Sequence, residues 1–205
     1  MLKAPEPGQV KTRLAAVLGP ESAATAYTDM VDFLWARLRL APRVDHVVGF
    51  APVSKPMATL FRTWFGPRPT LIPQRGQDLG ERMFQVGRHA GALFPGQHRV
   101  FIGGDCPYLE TLHLEAVREA FRSGADASIL PSHDGGYVLL AVRADADPGG
   151  ALFRDIDWGT DRVARQTRER ARSAGLNLAV GPALDDVDEP ADWERARAYL
   201  ASRAD

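Results

Sequence analysis

The side chains best able to handle phosphate or a divalent cation fall in four short stretches. In Val100–Pro107, VFIGGDCP, three apolar residues read as a buried strand, Gly103-Gly104 remove side chains at its end, and a lone acid, Asp105, follows. Ligands of open α/β sheets sit outside the carboxyl ends of the strands, so an acid beside bare backbone there is placed to hold a metal-bound phosphate. The other reading of Asp105 is a cap for the helix after Pro107. The loop PEPGQVKTR joins Pro7 and flexible Gly8 to Lys11 and Arg13. Its backbone N–H groups can approach a diphosphate while the two cations neutralise it; alternatively, both cations are simply exposed ahead of a helix. The pattern G-x-x-x-x-G-K-[ST] does not occur, which disfavours P-loop hydrolysis.

Asp134-Gly135-Gly136-Tyr137 reads either as a hairpin turn or as an acceptor wall. In the second case the glycines let a sugar lie against the backbone, and Asp134 accepts its hydroxyl hydrogens or serves as a base. Asp186 and Asp188 offer hard oxygen ligands for Mg²⁺ or Mn²⁺, although Asp188 also stands where a helix cap belongs. Trp158, in the loop Asp157-Trp158-Gly159-Thr160, can face an acceptor. His46, His89, His98, His113 and His133 lack metal-ligand spacing, no serine sits in a G-x-S-x-G elbow, and Cys106, between an acid and a proline, reads as packed.

Alternating elements must position these residues. The chain enters the PEPG loop with no strand evident before it. After Gly19-Pro20, the apolar residues Ala23, Tyr27, Met30, Val31, Leu34 and Leu38 recur at helical steps. A strand over Val44–Phe50, a helix over Lys55–Phe65 and a strand over Thr70–Ile72 follow. Asp78 caps a helix through Leu93, and Leu112–Phe121 forms another after the Val100 strand. Strands Ala127–Leu130 and Tyr137–Val142 are joined by a link too short for a helical crossover, which predicts an antiparallel excursion. Thr160 caps a helix whose inner face is Val163, Thr167 and Ala171; its arginines are a solvated face. A strand over Leu176–Val180 and a helix burying Trp193, Ala196 and Leu200 close the chain. The pattern predicts one α/β domain over residues 1–205, Rossmann-like and doubly wound, with a mostly parallel sheet and helices on both faces.

Composition narrows the partners. A formal net charge of -1 argues against general attraction to nucleic acid or an anionic membrane, so any phosphate site must be local. The single cysteine excludes an intramolecular disulfide and a Cys-based zinc site. No run approaches the ~20 apolar residues of a membrane span, and the first residues lack the apolar core of a signal peptide, so a cytoplasmic location is expected.

Taken in order, KAPEPGQVKTRL, QRGQDLGERM, GGDCPYL, DGGYVLL, DIDWGT and DVDEPADW resemble the bacterial glycosyltransferase-A-like proteins also called DUF2064. That family is similar to nucleotide-diphospho-sugar transferases and, more distantly, to small nucleotidyltransferases such as molybdenum cofactor guanylyltransferase. The resemblance implies a GT-A fold, a nucleotide on the first half of the sheet and a divalent metal, Mg²⁺ or Mn²⁺, held by Asp105, with Asp188 as second ligand. The family has a full hydrophobic strand before its KAPEPG loop, and here only Met1-Leu2 stand there, so the first strand is expected to be truncated. Gly104, Gly159 and Glu189 occupy positions where Ser or Thr is more usual.

The expected activity is a metal-dependent transferase acting on a sugar nucleotide, a glycosyltransferase. A nucleotidyltransferase that consumes a nucleoside triphosphate and releases pyrophosphate is the alternative, and a non-catalytic nucleotide-binding domain a third. In these readings Lys11 and Arg13 stabilise phosphate charge; Pro7, Gly8, Gln74, Gly76, Asp78 and Gly104 line the nucleotide or sugar; and Asp134, Gly135, Gly136, Tyr137 and Trp158 face a small-molecule acceptor.

Overall fold

The computed structural model describes residues 1–203. Three parallel strands, β1 (Leu2–Lys3), β2 (Val47–Ala51) and β3 (Thr70–Pro73), pair in the order β1-β2-β3. A second sheet has the order β4-β6-β5-β7, from β4 (Arg99–Ile102), β5 (Ala127–Pro131), β6 (Tyr137–Val142) and β7 (Leu178–Val180). Here β6 runs antiparallel to both neighbours, as its short link to β5 requires, and β7 returns parallel to β5. The two sheets abut at β1 and β4, where the Met1 amino group donates to the Ile102 carbonyl at 2.7 Å.

The reading that no strand precedes the first loop is corrected. Leu2 and Lys3 pair with Phe50 and Ala51, and the Ala4 N–H extends the ladder by donating to the Ala51 carbonyl at 2.7 Å. Two residues suffice because Leu2 is buried against Val31, Val48 and Phe50.

The helices are α1 (Thr12–Leu18), α2 (Pro20–Leu38), α3 (Lys55–Phe65), α4 (Leu79–Leu93), α5 (Thr111–Arg122), α6 (Val163–Ser173) and α7 (Pro190–Ala201). They cover both faces, as the period-two alternation of the strands shows. Val48 and Phe50 of β2 join a core with residues of α2 and α3, whereas Gly49 between them faces Val86 of α4. In β6, Leu139 and Ala141 pack with α2 and α5, while Leu140 and Val142 pack with Met83, Phe153 and α6. The same alternation corrects the reading of β4 as wholly buried. Phe101 enters the core, but Val100 points the other way and is 41% exposed.

Helix α2 spans the molecule. Tyr27 and Val31 belong to the core around β1 and β2, Leu34 and Leu38 to that of β6, and Met30 to a small cluster with Val187 and Ala196. The caps decide two open questions. Glu110 heads α5 in a capping box with His113, and Glu189 heads α7 in one with Asp192, so neither Asp105 nor Asp188 caps a helix. Thr160 is not the cap of α6, which begins only at Val163 with Arg162 before it. The Thr160 hydroxyl instead donates back to the Asp157 carbonyl at 2.7 Å, closing the loop that carries Trp158. No helix among the described residues is long and apolar enough to cross a membrane.

Candidate active site

Lys11 stands at the N-cap of α1 in the left-handed region, φ 46° and ψ 53°. Its side chain, only 7% exposed, donates to Asp105 Oδ2 at 2.9 Å and to Asp188 Oδ1 at 2.8 Å. Arg13, the second residue of α1, reaches Asp188 Oδ2 at 3.4 Å and Glu189 at 3.8 Å. Two carboxylates thus share one buried ammonium.

The backbone that presents Asp105 is crowded at both glycines. A β-carbon on Gly104 would lie 2.6 Å from Val31 and 2.8 Å from Leu2, so the serine or threonine usual in the resembling family does not fit here without repacking. On Gly103 it would lie 2.5 Å from Asp105 Oδ1. The Asp105 carbonyl then accepts from the Val187 N–H at 3.0 Å, which ties the β4 turn to the 186–188 segment and brings Asp188 alongside. Asp192 fixes that segment from below by accepting from the Asp188 and Glu189 N–H groups at 3.1 and 2.8 Å.

The electrostatics follow the geometry. Burial alone would raise the Asp105 pKa, but Lys11 holds the carboxyl below its ordinary range. Burial alone would lower Lys11, and its two carboxylate partners raise it instead. Among the described residues Asp186 pairs with no such cation. Burial, with Asp134, Asp105 and Asp188 nearby, pushes it up to about 6. Cys106 is buried and pushed up to about 12, the behaviour of a packed thiol rather than a nucleophile.

This array opens on a cleft of about 690 Å³. Of the residues picked out from sequence, Lys11, Arg13, Gly104, Asp105, Asp134, Gly136, Tyr137, Trp158 and Asp188 line it. Asp134 also locks its own turn, its Oδ1 accepting from the Ser132 hydroxyl and, at 2.9 Å, from the Gly136 N–H. The Tyr137 and Trp158 rings meet edge to face, 6.2 Å apart at 87°.

Six picked residues lie outside the lining, each with another task. Pro7 and Gly8 form an exposed turn, where Gly8 supplies φ +77°. Gln74 is buried, its amide donating to the carbonyls of Leu2 at 2.9 Å and Gly49 at 2.7 Å. Gly76 (φ +145°) lets the chain turn tightly against Glu81 and Arg82, and Asp78 caps α4 by accepting from the Glu81 N–H at 2.7 Å. Gly135 packs on the turn that leads into α6: a β-carbon would lie 2.1 Å from the Asp161 carbonyl oxygen, and its own carbonyl accepts from the Ala164 N–H at 2.9 Å, so its bareness serves helix docking rather than an acceptor.

Among the charged residues of the cleft, Lys3 was not marked by the sequence pattern. Lys3 lines the cleft and makes no ion pair among the described residues; strand alternation opposite buried Leu2 was the available signal. Asp186, read from sequence as a cation ligand together with Asp188, lines the cleft beside it.

The donor set suits a hard divalent cation. Two carboxylates already converge on a positive charge, and a third, Asp186, stands under excess negative charge. Among the described residues no three His, Cys, Asp or Glu side chains gather closely enough to hold a metal by themselves, so Asp105 and Asp188 would share the ion with phosphate oxygens or water.

The layered sheet with its cleft at the strand ends is the fold of nucleotidyltransferases and nucleotide-diphospho-sugar transferases. It is shared at the level of fold with a 4-diphosphocytidyl-2C-methyl-D-erythritol synthase from Anaerococcus prevotii, 12% identical with a TM-score of 0.61 over 98% of this chain and 94% of that one. The chain belongs to the DUF2064 family, described as uncharacterized protein conserved in bacteria, whose profile matches residues 35–160. A crystal structure from Desulfovibrio desulfuricans G20, provisionally described as a nucleotide-diphospho-sugar transferase, is 32% identical with a TM-score of 0.83, covering 92% of this chain and 81% of that one. A phosphoenolpyruvate guanylyltransferase of Sphaerobacter thermophilus is 28% identical over 90% of this chain and 84% of its own length.

Proposed function

We propose that this chain is a metal-dependent nucleotidyltransferase that joins a nucleoside triphosphate to a small anionic acceptor and releases pyrophosphate. The observation that carries the reading is the buried lysine held between two carboxylates at the edge of a cleft of about 690 Å³, a volume suited to a nucleotide.

In this reaction an acceptor oxygen attacks the α-phosphorus, the bond from that phosphorus to the α,β-bridging oxygen breaks, and pyrophosphate leaves with the bonding electrons. Lys11 and Arg13 stabilise the charge gathering on the departing pyrophosphate. Asp105 and Asp188 would hold Mg²⁺ or Mn²⁺, which supplies further neutralisation and alignment of the phosphates when bound. Gly136, Tyr137 and Trp158 form the acceptor side. An acceptor phosphate or carboxylate is ionised at neutral pH and attacks without a base, which suits a cleft where Asp134 is engaged in shaping its own turn.

The Sphaerobacter relative, matching nine-tenths of this chain, favours nucleotidyl over glycosyl transfer and makes GTP and phosphoenolpyruvate the first pair to try. Glycosyl transfer from a sugar nucleotide is the second reading, favoured by the description of the Desulfovibrio structure. The deciding assay supplies each of the four nucleoside triphosphates with phosphoenolpyruvate and Mg²⁺ or Mn²⁺, and follows pyrophosphate. A parallel series supplies sugar nucleotides and follows nucleoside diphosphate. Acceptor-dependent pyrophosphate is expected; nucleoside diphosphate from a sugar nucleotide, with no pyrophosphate in the first series, moves the assignment to glycosyl transfer.

A further inference from the structure

We infer that Lys11 makes divalent-cation binding conditional on the nucleotide: its ammonium fills the cation position in the nucleotide-free protein and leaves it for the phosphates when the triphosphate arrives. The inference rests on the reading of Asp105 and Asp188 as the residues that hold the metal.

The argument starts from one shared place. Lys11 Nζ lies 2.9 Å from Asp105 Oδ2 and 2.8 Å from Asp188 Oδ1, so the carboxylate oxygens that would hold a divalent ion are already directed at an ammonium. Two cations cannot share that position, because at contact distance their repulsion is unscreened by water; the Lys11 side chain is 7% exposed. A divalent ion arriving alone must therefore evict a buried ammonium and leave it without a partner, which costs most of what the ion gains. A triphosphate changes the balance. It offers the displaced ammonium new anionic oxygens within the same cleft, and it offers the ion further hard ligands.

Charge counting points the same way. Asp105 and Asp188 carry two negative charges against one on Lys11, and Asp134 and Asp186 face the same cleft. Arg13 does not make up the difference, since its guanidinium is 68% exposed and is shared between Asp188 Oδ2 at 3.4 Å and Glu189 at 3.8 Å. The acid pair is thus under-neutralised by its resident lysine and better matched by a divalent ion, provided the lysine has somewhere to go. Metal site and nucleotide site become coupled, each strengthening the other by the same factor.

The test measures Mn²⁺ binding directly, by electron paramagnetic resonance of the free ion, in wild type, Lys11→Met and Lys11→Gln, with and without a non-hydrolysable α,β-methylene GTP analogue. Wild type is expected to bind Mn²⁺ weakly alone and about tenfold or more tightly with the analogue, and Lys11→Met to bind Mn²⁺ alone about tenfold more tightly than wild type. Should Lys11→Met fail to fold, Lys11→Gln carries the same expectation. Removing a phosphate-binding lysine that did not compete with the ion would leave Mn²⁺ affinity equal or lower, and that result overturns the inference. The functional reading fails separately: a wild type that releases no pyrophosphate, with a Lys11 variant that gains Mn²⁺ affinity, keeps the exchange and removes the reaction. Pyrophosphate release by wild type, with no gain in the variants, does the reverse.

Discussion

Gly80 and Trp158 are packed so closely that a β-carbon on Gly80 would lie 2.7 Å from the Trp158 indole nitrogen and 2.1 Å from the Phe153 carbonyl oxygen. Gly80→Ala should therefore push the Trp158 loop off α4 at a cost of about 1–3 kcal/mol. Urea unfolding measures the cost, and a shift in tryptophan emission reports the displaced ring. Unchanged stability and emission would show that the contact is not held in solution.

Gln74 joins three strands through side-chain donation to Leu2 and Gly49. Gln74→Leu leaves two buried carbonyls without that donor and should cost about 2 kcal/mol. Nucleotide affinity, measured by calorimetry on the folded variant, should stay within about twofold of wild type, because the residue lies outside the cleft. A larger loss of affinity at unchanged stability would return Gln74 to the binding site.

Asp105→Asn keeps the shape of the β4 turn and removes the charge that Lys11 and the cation share. Turnover should fall by at least about a hundredfold. Circular dichroism should show an intact fold, and full activity in the folded variant would remove Asp105 from the mechanism.

Lys3 reaches the cleft without a carboxylate partner among the described residues, so its charge is available to an anionic substrate. Lys3→Ala should raise KM for one of the two substrates about tenfold with kcat little changed, the signature of lost uniform binding. Which substrate responds tells whether the acceptor or the triphosphate lies at β1. Equal KM values for both would exclude a binding role.

The pH dependence of stability has a defined contributor in Glu110. Hydrogen bonding by Tyr199, at 2.7 Å, and pairing with Arg37, also 2.7 Å, hold its carboxyl below the ordinary range. A group whose folded pKa is depressed stabilises above its unfolded value and loses that stabilisation as pH falls through the folded one. The stability gap between wild type and Glu110→Gln, measured by urea unfolding, should thus be full at neutral pH and shrink below about pH 4. A gap constant from pH 7 to pH 3 would rule out the charged form as its source.

Local chemistry in this chain was legible before the fold was known. The Asp78 cap, the α2 stripe from Ala23 to Leu38 and the antiparallel β5–β6 pair all rest on interactions between near neighbours. What pattern could not supply is pairing across distance. Lys11 meets Asp105 and Asp188 from 94 and 177 positions away, and nothing in the spacing of the three residues says that one ammonium lies between them. The same limit explains the misplaced candidates. Gln74, Gly76 and Asp78 are polar or glycine residues just beyond a strand, the profile of ligand contacts, yet Gln74 and Asp78 bond backbone groups of the protein itself and Gly76 makes room for Glu81 and Arg82. Gly135 follows that pattern too, its space taken by the Asp161 backbone ahead of α6 rather than by an acceptor.

The walls of the cleft differ in sign by origin. Its cations, Lys3, Lys11 and Arg13, come from the first strand, the loop after it and the start of α1, while its acids, Asp105, Asp134, Asp186 and Asp188, hang from the second sheet and the segment before α7. With Lys11 and Arg13 held against those acids, Lys3 is the lining cation without an ion pair among the described residues, so an anionic tail is drawn toward β1 before it touches any side chain. Orientation is thereby set during approach, so reversing a single wall charge should slow productive capture at low salt and matter less as ionic strength rises.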